Sequence, residues 1–208
     1  MRYEVRVEVE VRGRGKRLEI RDMVRSAGAG AHSVHGEIVR LRVVEESDLP
    51  LLVRWTNDPD VRYWLHRSDR PDASVETVRS RFGLTNEVFP NLVWMIDTLE
   101  GRPIGHVGLL QVDPHHKRAE LAIAIGEREC WSRGYGTDAI RALLRHAFEE
   151  MGLRRIDLYT DADNARGIRC YEKCSFVREG VMRQRRLRYG KPLDMVVMGV
   201  LREEWQRR

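Results

Sequence analysis

The chain contains 208 residues, of which 42% are hydrophobic. This is enough for one domain with a well-buried core and too little for two domains of ordinary size. Its 37 basic and 32 acidic residues give a net charge of +5, so the surface should carry both signs and points only weakly to nucleic acid. No stretch approaches the roughly 18 apolar residues of a membrane span, so we expect no membrane partner.

The cysteines and the N-terminus predict a cytoplasmic protein without a metal site. Cys130, Cys170 and Cys174 form neither an even disulfide framework nor a paired zinc motif, which is typical of a reducing compartment. Cys170 and Cys174 lie one helical turn apart and should be buried thiols. The pair His115 and His116 lacks further ligands at metal-binding spacing and predicts a surface turn. At the N-terminus, charges interleave with valines where a signal peptide would be apolar.

The first 36 residues are predicted to form an extension and a linker. Residues 3–11 alternate apolar and charged side chains, as in a half-buried strand. Residues 27–36, AGAGAHSVHG, are small and glycine-rich, as in a linker. We therefore expect an extension at 1–36 and a domain at 37–208. The extension is either a strand added to the domain or to a second subunit of a homodimer, a disordered arm, or a by-product of a start codon before Met23.

The domain is predicted to be α/β, with a mixed, mostly antiparallel sheet flanked by helices. The patterns in chain order are a strand at 37–44, helices at 46–58 and 74–82, strands at 91–98, 103–113 and 118–126, a helix within 131–152, a strand at 154–162, a helix at 164–174, and strands at 176–190 and 192–205. Short turns join the three middle strands, which predicts an antiparallel meander. Ser47 and Ser74 are the expected caps of the first two helices.

Two glycines, Gly134 and Gly136, precede the long helix within 131–152. A helix entrance presents unpaired backbone N–H groups and the positive end of the helix dipole, so an anion can bind there if no side chain obstructs it. Neither GxxxxGK[ST] nor GxGxxG is present at this point, which argues against a nucleoside triphosphate or dinucleotide loop. Taken alone, the glycines are explained equally well by a flexible turn between a strand and a helix.

The strand before this loop carries one carboxylate on a face of small residues. Its two faces are Glu120, Ala122, Ala124 and Gly126 on one side, and Leu121, Ile123 and Ile125 on the other. The second face is typical of a core. The first is typical of a strand along which a ligand lies, with a base that reaches the reacting centre. Close packing of this face against a helix is the alternative explanation.

Two stretches together resemble the acetyl-CoA-binding core of the GNAT N-acetyltransferase superfamily. They are residues 118–144, RAELAIAIGERECWSRGYGTDAIRALL, and residues 159–176, YTDADNARGIRCYEKCSF. The resemblance covers about residues 38–205 and is strongest to the branch of RimJ/RimL ribosomal-protein and spermidine acetyltransferases, with a more distant likeness to aminoglycoside 6′-N-acetyltransferases. It implies the GNAT fold and an enzyme that moves an acetyl group from acetyl-CoA to a primary amine. The N-terminal extension has no counterpart in the family.

The resemblance assigns the glycine loop and its strand to acetyl-CoA. The family's loop pattern is Q/R-x-x-G-x-G/A, and Trp131 stands at its first position, so one polar phosphate contact is missing and Arg133 is predicted to replace it. The pantetheine arm would pair with the strand like an added strand. Asn164 resembles the asparagine that caps the next helix and contacts the cofactor. The predicted cofactor-binding residues are Ile123, Ala124, Ile125, Ser132, Arg133, Gly134, Tyr135, Gly136, Thr137 and Asn164.

The resemblance also implies direct transfer with an acid and a base. An alkyl amine has a pKa of about 10 and must lose a proton before it attacks. Glu120 occupies the place of the catalytic glutamate of the family's histone acetyltransferases and is the predicted base, directly or through water. A main-chain N–H of Leu121 or Ala122 would stabilise the oxyanion. Tyr171 matches the family's general-acid tyrosine and would protonate the departing CoA thiolate; a tyrosine packed on the core is the alternative.

The acceptor is predicted to be a small molecule or a protein N-terminus that carries a primary amine. Trp55, Asp58, Tyr63 and Trp64 form an aromatic and acidic set that could receive an ammonium group. The basic run at 183–188, RQRRLR, counts against a polycationic acceptor. The alternative class is a non-catalytic GNAT-like module that senses acyl-CoA or binds nucleic acid. The presence of both a glutamate and a tyrosine at the expected positions favours catalysis.

Overall fold

The computed structural model describes residues 33–65, 70–82 and 91–207, together with the backbone of two short strands near the N-terminus. These strands, β1 (Glu8–Val9) and β2 (Leu18–Glu19), pair antiparallel as a small separate sheet. The strand predicted at 3–11 is therefore present at its centre, and its remaining residues lie outside the described part of the chain. Residues 27–32 of the predicted linker and Met23 also lie outside it.

Eight strands form the main sheet. They are β3 (Val34–His35), β4 (Val39–Val43), β5 (Leu92–Thr98), β6 (Pro103–Asp113), β7 (Arg118–Ile125), β8 (Arg155–Asp161), β9 (Val177–Arg188) and β10 (Lys191–Leu201). Their order across the sheet is β3-β4-β5-β6-β7-β8-β10-β9, and every neighbouring pair is antiparallel except β7 and β8, which are parallel. The predicted mixed, mostly antiparallel sheet and its meander of β5, β6 and β7 are confirmed.

Six α-helices flank the sheet within the described ranges. They are α1 (Leu49–Asn57), α2 (Pro59–Trp64), α3 (Val75–Arg81), α4 (Tyr135–Arg145), which continues as a π-helical turn at His146–Glu150, α5 (Ala165–Lys173) and α6 (Arg202–Trp205). Ser74 caps α3 as predicted, since its hydroxyl accepts from the Thr77 N–H at 3.2 Å. The prediction that Ser47 caps the first helix is wrong. α1 begins only at Leu49, and just before it the Asp48 carboxylate accepts from the Glu45 N–H.

The helices lie on both faces of the sheet and cover two cores. Trp94 and Met95 are consecutive in β5, so their side chains point to opposite faces. Trp94 belongs to the main core, which α4 covers, and Met95 belongs to a smaller core under α1 and α3. The face under α1 and α3 is the one that carries Glu120, because Met95 pairs with His106, His106 pairs with Ala124, and Ala124 shares a face with Glu120.

The predicted linker ends inside the sheet. Val34 and His35 form the edge strand β3, so the ordered sheet starts before the expected domain boundary at 37. The chain then turns into β4, which is held to α4 by Asp138. The Asp138 carboxylate accepts from three successive backbone N–H groups at 2.8–3.0 Å, those of Glu37, Ile38 and Val39. A two-residue strand is too short to produce a pattern in the sequence, which explains why this part was predicted as linker.

No helix within residues 33–65, 70–82 and 91–207 has the length and apolar content needed to cross a bilayer. In the same ranges, no group of three or more His, Cys, Asp or Glu side chains is placed to hold a metal ion. His115 and His116 are both exposed in the turn between β6 and β7, and the His116 Nδ1 lies 2.7 Å from an Asp113 carboxylate oxygen.

Candidate active site

The two parallel strands at the centre of the sheet separate after three residue pairs. Glu120 in β7 and Asp157 in β8 are the last residues in register. Beyond them, β7 continues beside β6 and β8 continues beside β10, so the two strands leave a wedge between them. Among the residues that the structure describes, none forms a strand partner for the edge of β7 at residues 121–125 that faces the wedge. An extended molecule can therefore pair with this edge.

A cleft of about 510 Å³ occupies the wedge. Glu120 and Tyr171, the predicted catalytic residues, both line it. Most of the predicted cofactor-binding residues line it as well: Ile123, Ala124, Ile125, Ser132, Gly134, Gly136, Thr137 and Asn164. Arg133 and Tyr135 are placed elsewhere, because Arg133 is exposed to solvent and Tyr135 packs against the main core.

The glycine loop presents bare backbone at the start of α4. Gly134 is the N-cap residue and has a φ of +91°, a conformation that favours glycine. Among the described residues, none accepts a hydrogen bond from the backbone N–H groups of residues 132–137. These donors lie at the positive end of an 11-residue helix. The arrangement is therefore suited to an anion with several oxygens, such as a diphosphate.

Arg166, a cation that was not among the residues predicted from the sequence, lies beside this loop. The Trp131 indole N–H donates to the Ile125 carbonyl at 2.7 Å, which fixes the ring at the end of β7. The Arg166 guanidinium lies 4.0 Å from the centre of that ring and also lines the cleft. Within the described ranges Arg166 makes no ion pair with a carboxylate. Arg166 is 35 positions from Trp131, so no local pattern signals the contact.

Glu120 has the surroundings of a proton acceptor. Burial raises the pKa of its carboxyl above the ordinary value, and the neighbouring Asp157 carboxylate raises it further. Asp157 itself forms an ion pair with Arg155. The Glu120 side chain accepts no hydrogen bond from any described residue. A half-buried carboxylate with a raised pKa and free oxygens can take a proton from a bound amine.

Tyr171 has the surroundings of a proton donor. Burial is the main cause of a strongly raised pKa, and the neighbouring thiols of Cys170 and Cys174 contribute. Its ring packs edge-on against Phe176, with the ring centres 6.1 Å apart. The hydroxyl has no hydrogen-bond partner among the residues described. The phenol therefore keeps its proton at neutral pH, and Tyr171 lines the cleft.

Asn164 joins the end of β8 to the start of α5. Its side-chain oxygen accepts from the Gly167 N–H at 3.0 Å, which confirms the predicted helix cap. Its amide nitrogen donates to the Thr160 hydroxyl, also at 3.0 Å. The side chain lines the cleft while both of its ends are held by the protein. Asn164 consequently contributes a rigid wall on the side of the cleft opposite β7.

Two of the four predicted acceptor-binding residues have structural roles away from the cleft. Trp55 is only 2% exposed, and its ring packs so closely on Gly126 that a Cβ there would lie 2.1 Å away. Its indole N–H donates to Glu127 at 2.9 Å. Asp58 caps α2 by accepting from the backbone N–H groups that follow it. Neither side chain lines the cleft. The prediction for Trp55 was wrong because a local sequence pattern does not distinguish a core tryptophan from an exposed one.

The other two aromatic residues lie close to one of the chain's own cations. The Arg188 guanidinium is 3.9 Å from the centre of the Tyr63 ring and donates to its hydroxyl at 2.6 Å. Arg188 also pairs with Asp161 and with Asp163. Trp64 lines the cleft. Tyr63 and Arg188 are 125 positions apart, so the sequence could not reveal that the ring predicted to receive an ammonium already holds a guanidinium.

His106 is a second residue that the sequence reading missed. It lies in β6 opposite Ala124, lines the cleft and is 8% exposed. Its Nδ1 has no hydrogen-bond partner in the described part of the chain. Burial, together with the charge of Arg81, lowers its pKa to about 3, so the imidazole is neutral at physiological pH. In the sequence, a histidine within the apolar first part of β6 could have indicated a functional residue.

Comparison with known proteins identifies the family of this chain. The family model described as acetyltransferase (GNAT) domain matches residues 39–177, and the chain belongs to that family. One relative is an uncharacterized N-acetyltransferase, p20, of Bacillus licheniformis, which is 24% identical over 83% of this chain and 98% of its own length. Another is the spermidine N(1)-acetyltransferase of Vibrio cholerae, 24% identical over 81% of this chain and 95% of its own length.

A solved structure has the same fold. The spermidine N-acetyltransferase from Vibrio cholerae in complex with CoA and spermine superposes with a TM-score of 0.74 and 22% identity, covering 81% of this chain and 98% of that one. The fold predicted from the resemblance is therefore confirmed as the GNAT fold, with its mixed sheet flanked by helices. The chain is an N-acetyltransferase, in a family that transfers acetyl groups to amines.

Proposed function

We propose that this enzyme transfers the acetyl group of acetyl-CoA directly to a primary amine, with Glu120 as the base and Tyr171 as the acid. One observation carries the proposal. The separation of β7 and β8 places Glu120, Tyr171 and the bare loop before α4 on one cleft. The first residue is suited to accept a proton, the second to donate one, and the loop to hold an anion.

The cleft fits acetyl-CoA in three respects. The free N–H groups of residues 132–137 would receive the diphosphate, and the bare backbone lets it approach. Arg166, seated on Trp131, would supply the positive charge that the loop's first position lacks. The unpaired edge of β7 at residues 121–125 would hydrogen-bond the pantetheine arm. When bound, acetyl-CoA supplies the activated thioester, and its reacting end would lie toward Glu120.

The chain's own groups then manage the protons of the transfer. Glu120 takes a proton from the ammonium group directly or through one water, which frees the nitrogen lone pair for attack on the thioester carbon. The backbone N–H of Leu121 or Ala122 would stabilise the resulting oxyanion. As the bond between carbon and sulfur breaks, Tyr171 gives its proton to the departing thiolate. The surroundings of both side chains support these roles, because burial makes the Glu120 carboxylate a stronger proton acceptor and keeps the Tyr171 phenol protonated.

The acceptor would lie on the face of the sheet that carries Glu120. Four strand positions along β7 separate Glu120 from Ala124, which pairs with His106, so an acceptor about 13 Å long would span from the base to the imidazole. Neutral His106 next to the charge of Arg81 supports a far end that is neutral or acidic. The guanidinium on Tyr63 likewise counts against a polycation. A small-molecule amine or a protein N-terminus meets these conditions. The proposed location of the enzyme is the cytoplasm.

The test begins with an acceptor panel and ends with a pH profile. Acetyl-CoA is incubated with polyamines, aminoglycosides, free amino acids and peptides with free N-termini, and the products are identified by mass. For the best acceptor, kcat/KM of the wild-type enzyme should fall at low pH as Glu120 becomes protonated. Glu120→Gln should lower kcat/KM by about 10²–10³-fold and remove that acid limb.

Asp157→Asn is the matched control. It removes the negative charge that raises the pKa of Glu120, so turnover should persist with the acid limb moved to lower pH. A wild-type pH profile in both variants would remove Glu120 from the mechanism. Calorimetric binding of acetyl-CoA without transfer to any amine would instead support a module that senses acyl-CoA.

A further inference from the structure

Two thiols contact the loop that begins α4. The Cys170 sulfur lies 3.3 Å from the Thr137 hydroxyl oxygen, and the Cys174 thiol donates to the Thr137 carbonyl at 3.5 Å. Thr137 is the last residue of the bare loop. Cys170 is half-buried and lines the cleft, whereas Cys174 is 2% exposed. Both are free thiols one turn apart on α5, so solvent and ligands reach the first and not the second.

The surroundings of Cys170 favour its thiolate. The neighbouring Cys174 thiol has the largest effect on its pKa and lowers it, and burial opposes this. The Thr137 hydroxyl and the positive charges of Lys173 on α5 and Arg141 on α4 act in the same direction as Cys174. The pKa of the Cys170 thiol is therefore lowered, while the pKa of the more buried Cys174 is raised. A thiolate at neutral pH on an accessible surface is a nucleophile.

The position of this sulfur decides what its modification would do. The Cys170 sulfur lies 3.8 Å from the place that a Cβ on Gly136 would occupy. It therefore borders the bare backbone on which the diphosphate of acetyl-CoA would rest. Because Gly136, Thr137 and Cys170 line the same cleft, a glutathione attached to this sulfur would take up space in it.

We propose that Cys170 is a thiol–disulfide exchange site, and that its modification by a small disulfide such as oxidised glutathione closes the acetyl-CoA cleft. The Cys170 thiolate attacks one sulfur of the small disulfide. A bond forms between the Cys170 sulfur and that sulfur, the original S–S bond breaks, and the other half leaves as a thiolate that takes a proton from water. A free thiol reverses the step. The consequence for acetyl-CoA rests on the proposed function.

The experiment treats the full chain with oxidised glutathione and measures three quantities. Intact mass and peptide mapping should find one glutathione on Cys170, with Cys130, which is 6% exposed, as the internal comparison. Calorimetry should find acetyl-CoA affinity at least 10-fold lower after treatment and restored by dithiothreitol. Acetyl-CoA added first should slow the labelling in proportion to its occupancy of the cleft.

Two variants separate this inference from a merely exposed cysteine. Cys170→Ser, compared with itself before and after treatment, should show no change in acetyl-CoA affinity. Cys174→Ala removes the neighbouring thiol that does most to lower the pKa of Cys170, so labelling of Cys170 at pH 7 should be several-fold slower than in the wild type.

Three outcomes would overturn the inference. They are glutathione on Cys130 or Cys174 in preference to Cys170, unchanged acetyl-CoA affinity in a chain labelled at Cys170, and full-rate labelling in Cys174→Ala. If the untreated protein does not bind acetyl-CoA, the proposed function fails as well. If the untreated protein binds acetyl-CoA and treatment does not weaken that binding, only this inference fails and the proposed function stands.

Discussion

Glu120 and Tyr171 line the same cleft, and burial changes the chemistry of each in a different way. Glu120 must lose its proton before it can act as a base, and burial raises the pKa of its carboxyl. As the pH is lowered, activity should therefore be lost at a higher pH than it would be with an ordinary glutamate. For Tyr171, burial secures a proton that the phenol would keep anyway up to alkaline pH. These opposite requirements are the physical basis for the proposal that Glu120 accepts a proton and Tyr171 donates one.

Tyr171→Phe tests the donor at the scale of a single atom. The ring and its packing on Phe176 are retained, so acetyl-CoA affinity by calorimetry should stay within about two-fold of the wild type. The rate of acetyl transfer should fall by about 10²-fold, because the departing thiolate loses its proton source. Tyr189→Phe, at a tyrosine that is 61% exposed in the β9–β10 turn, is the matched control. Equal turnover in the two variants would exclude Tyr171 as the acid.

At the scale of elements, the site depends on how β7 ends and α4 begins. β7 loses its parallel partner after Glu120, and Trp131 then closes its end by donating to Ile125. The loop reaches the helix through Gly134, which has a positive φ and lines the cleft. The two glycines differ in this respect, since Gly136 has no positive φ and sits within the helix.

Gly134→Ala and Gly136→Ala should therefore have different effects. Alanine at 134 must adopt a left-handed conformation, which lowers the free energy of unfolding by about 1–2 kcal/mol and disturbs the loop, so acetyl-CoA affinity should also fall. A Cβ at 136 meets its nearest neighbours at 3.8–4.0 Å, which is ordinary contact. Urea unfolding should therefore give a stability within about 0.5 kcal/mol of the wild type for that variant. Equal destabilisation by the two changes would contradict this reading of the loop.

At the scale of the whole molecule, a buried ionic cluster connects the acceptor side to the terminal hairpin. Arg188, at the end of β9, is 5% exposed and joins Asp161 at the end of β8 and Asp163 of the β8–α5 connection to Tyr63 of α2. The helix that faces the cleft is thus held by a residue near the C-terminus. We propose that residues 37–208 form one catalytic domain, with β3 added at the edge of its sheet. The contacts of Arg188 support this proposal.

Arg188→Met should destabilise the fold by about 3 kcal/mol, because it leaves the 1%-exposed Asp161 without its main partner. Release of α2 should also raise KM for the amine more than KM for acetyl-CoA. Arg185→Ala, on the exposed part of the same strand, should change the stability by less than about 0.5 kcal/mol. Urea unfolding of both variants measures the difference, and similar midpoints would show that the cluster contributes little.

The sequence by itself determined the elements, the glycine loop, the Asn164 cap and the family. Each of these is recorded in short-range spacing: alternation along a strand, a three-and-four repeat along a helix, or a motif within a few residues. The family resemblance carried by these motifs also predicted Glu120 and Tyr171 as base and acid; both line the cleft, and their roles stay a prediction. Local patterns carry this information because the backbone geometry that produces them is local.

The tertiary structure alone decided which side chains share the cleft. The separation of β7 from β8 depends on β10, which lies about 40 residues further along the chain and pairs with β8 on its other side. His106, Arg166 and Cys170 enter the site through contacts with residues far from them in sequence, and Trp55 leaves it by packing on Gly126. Such contacts follow from the packing of whole elements, and no pattern within one element contains them.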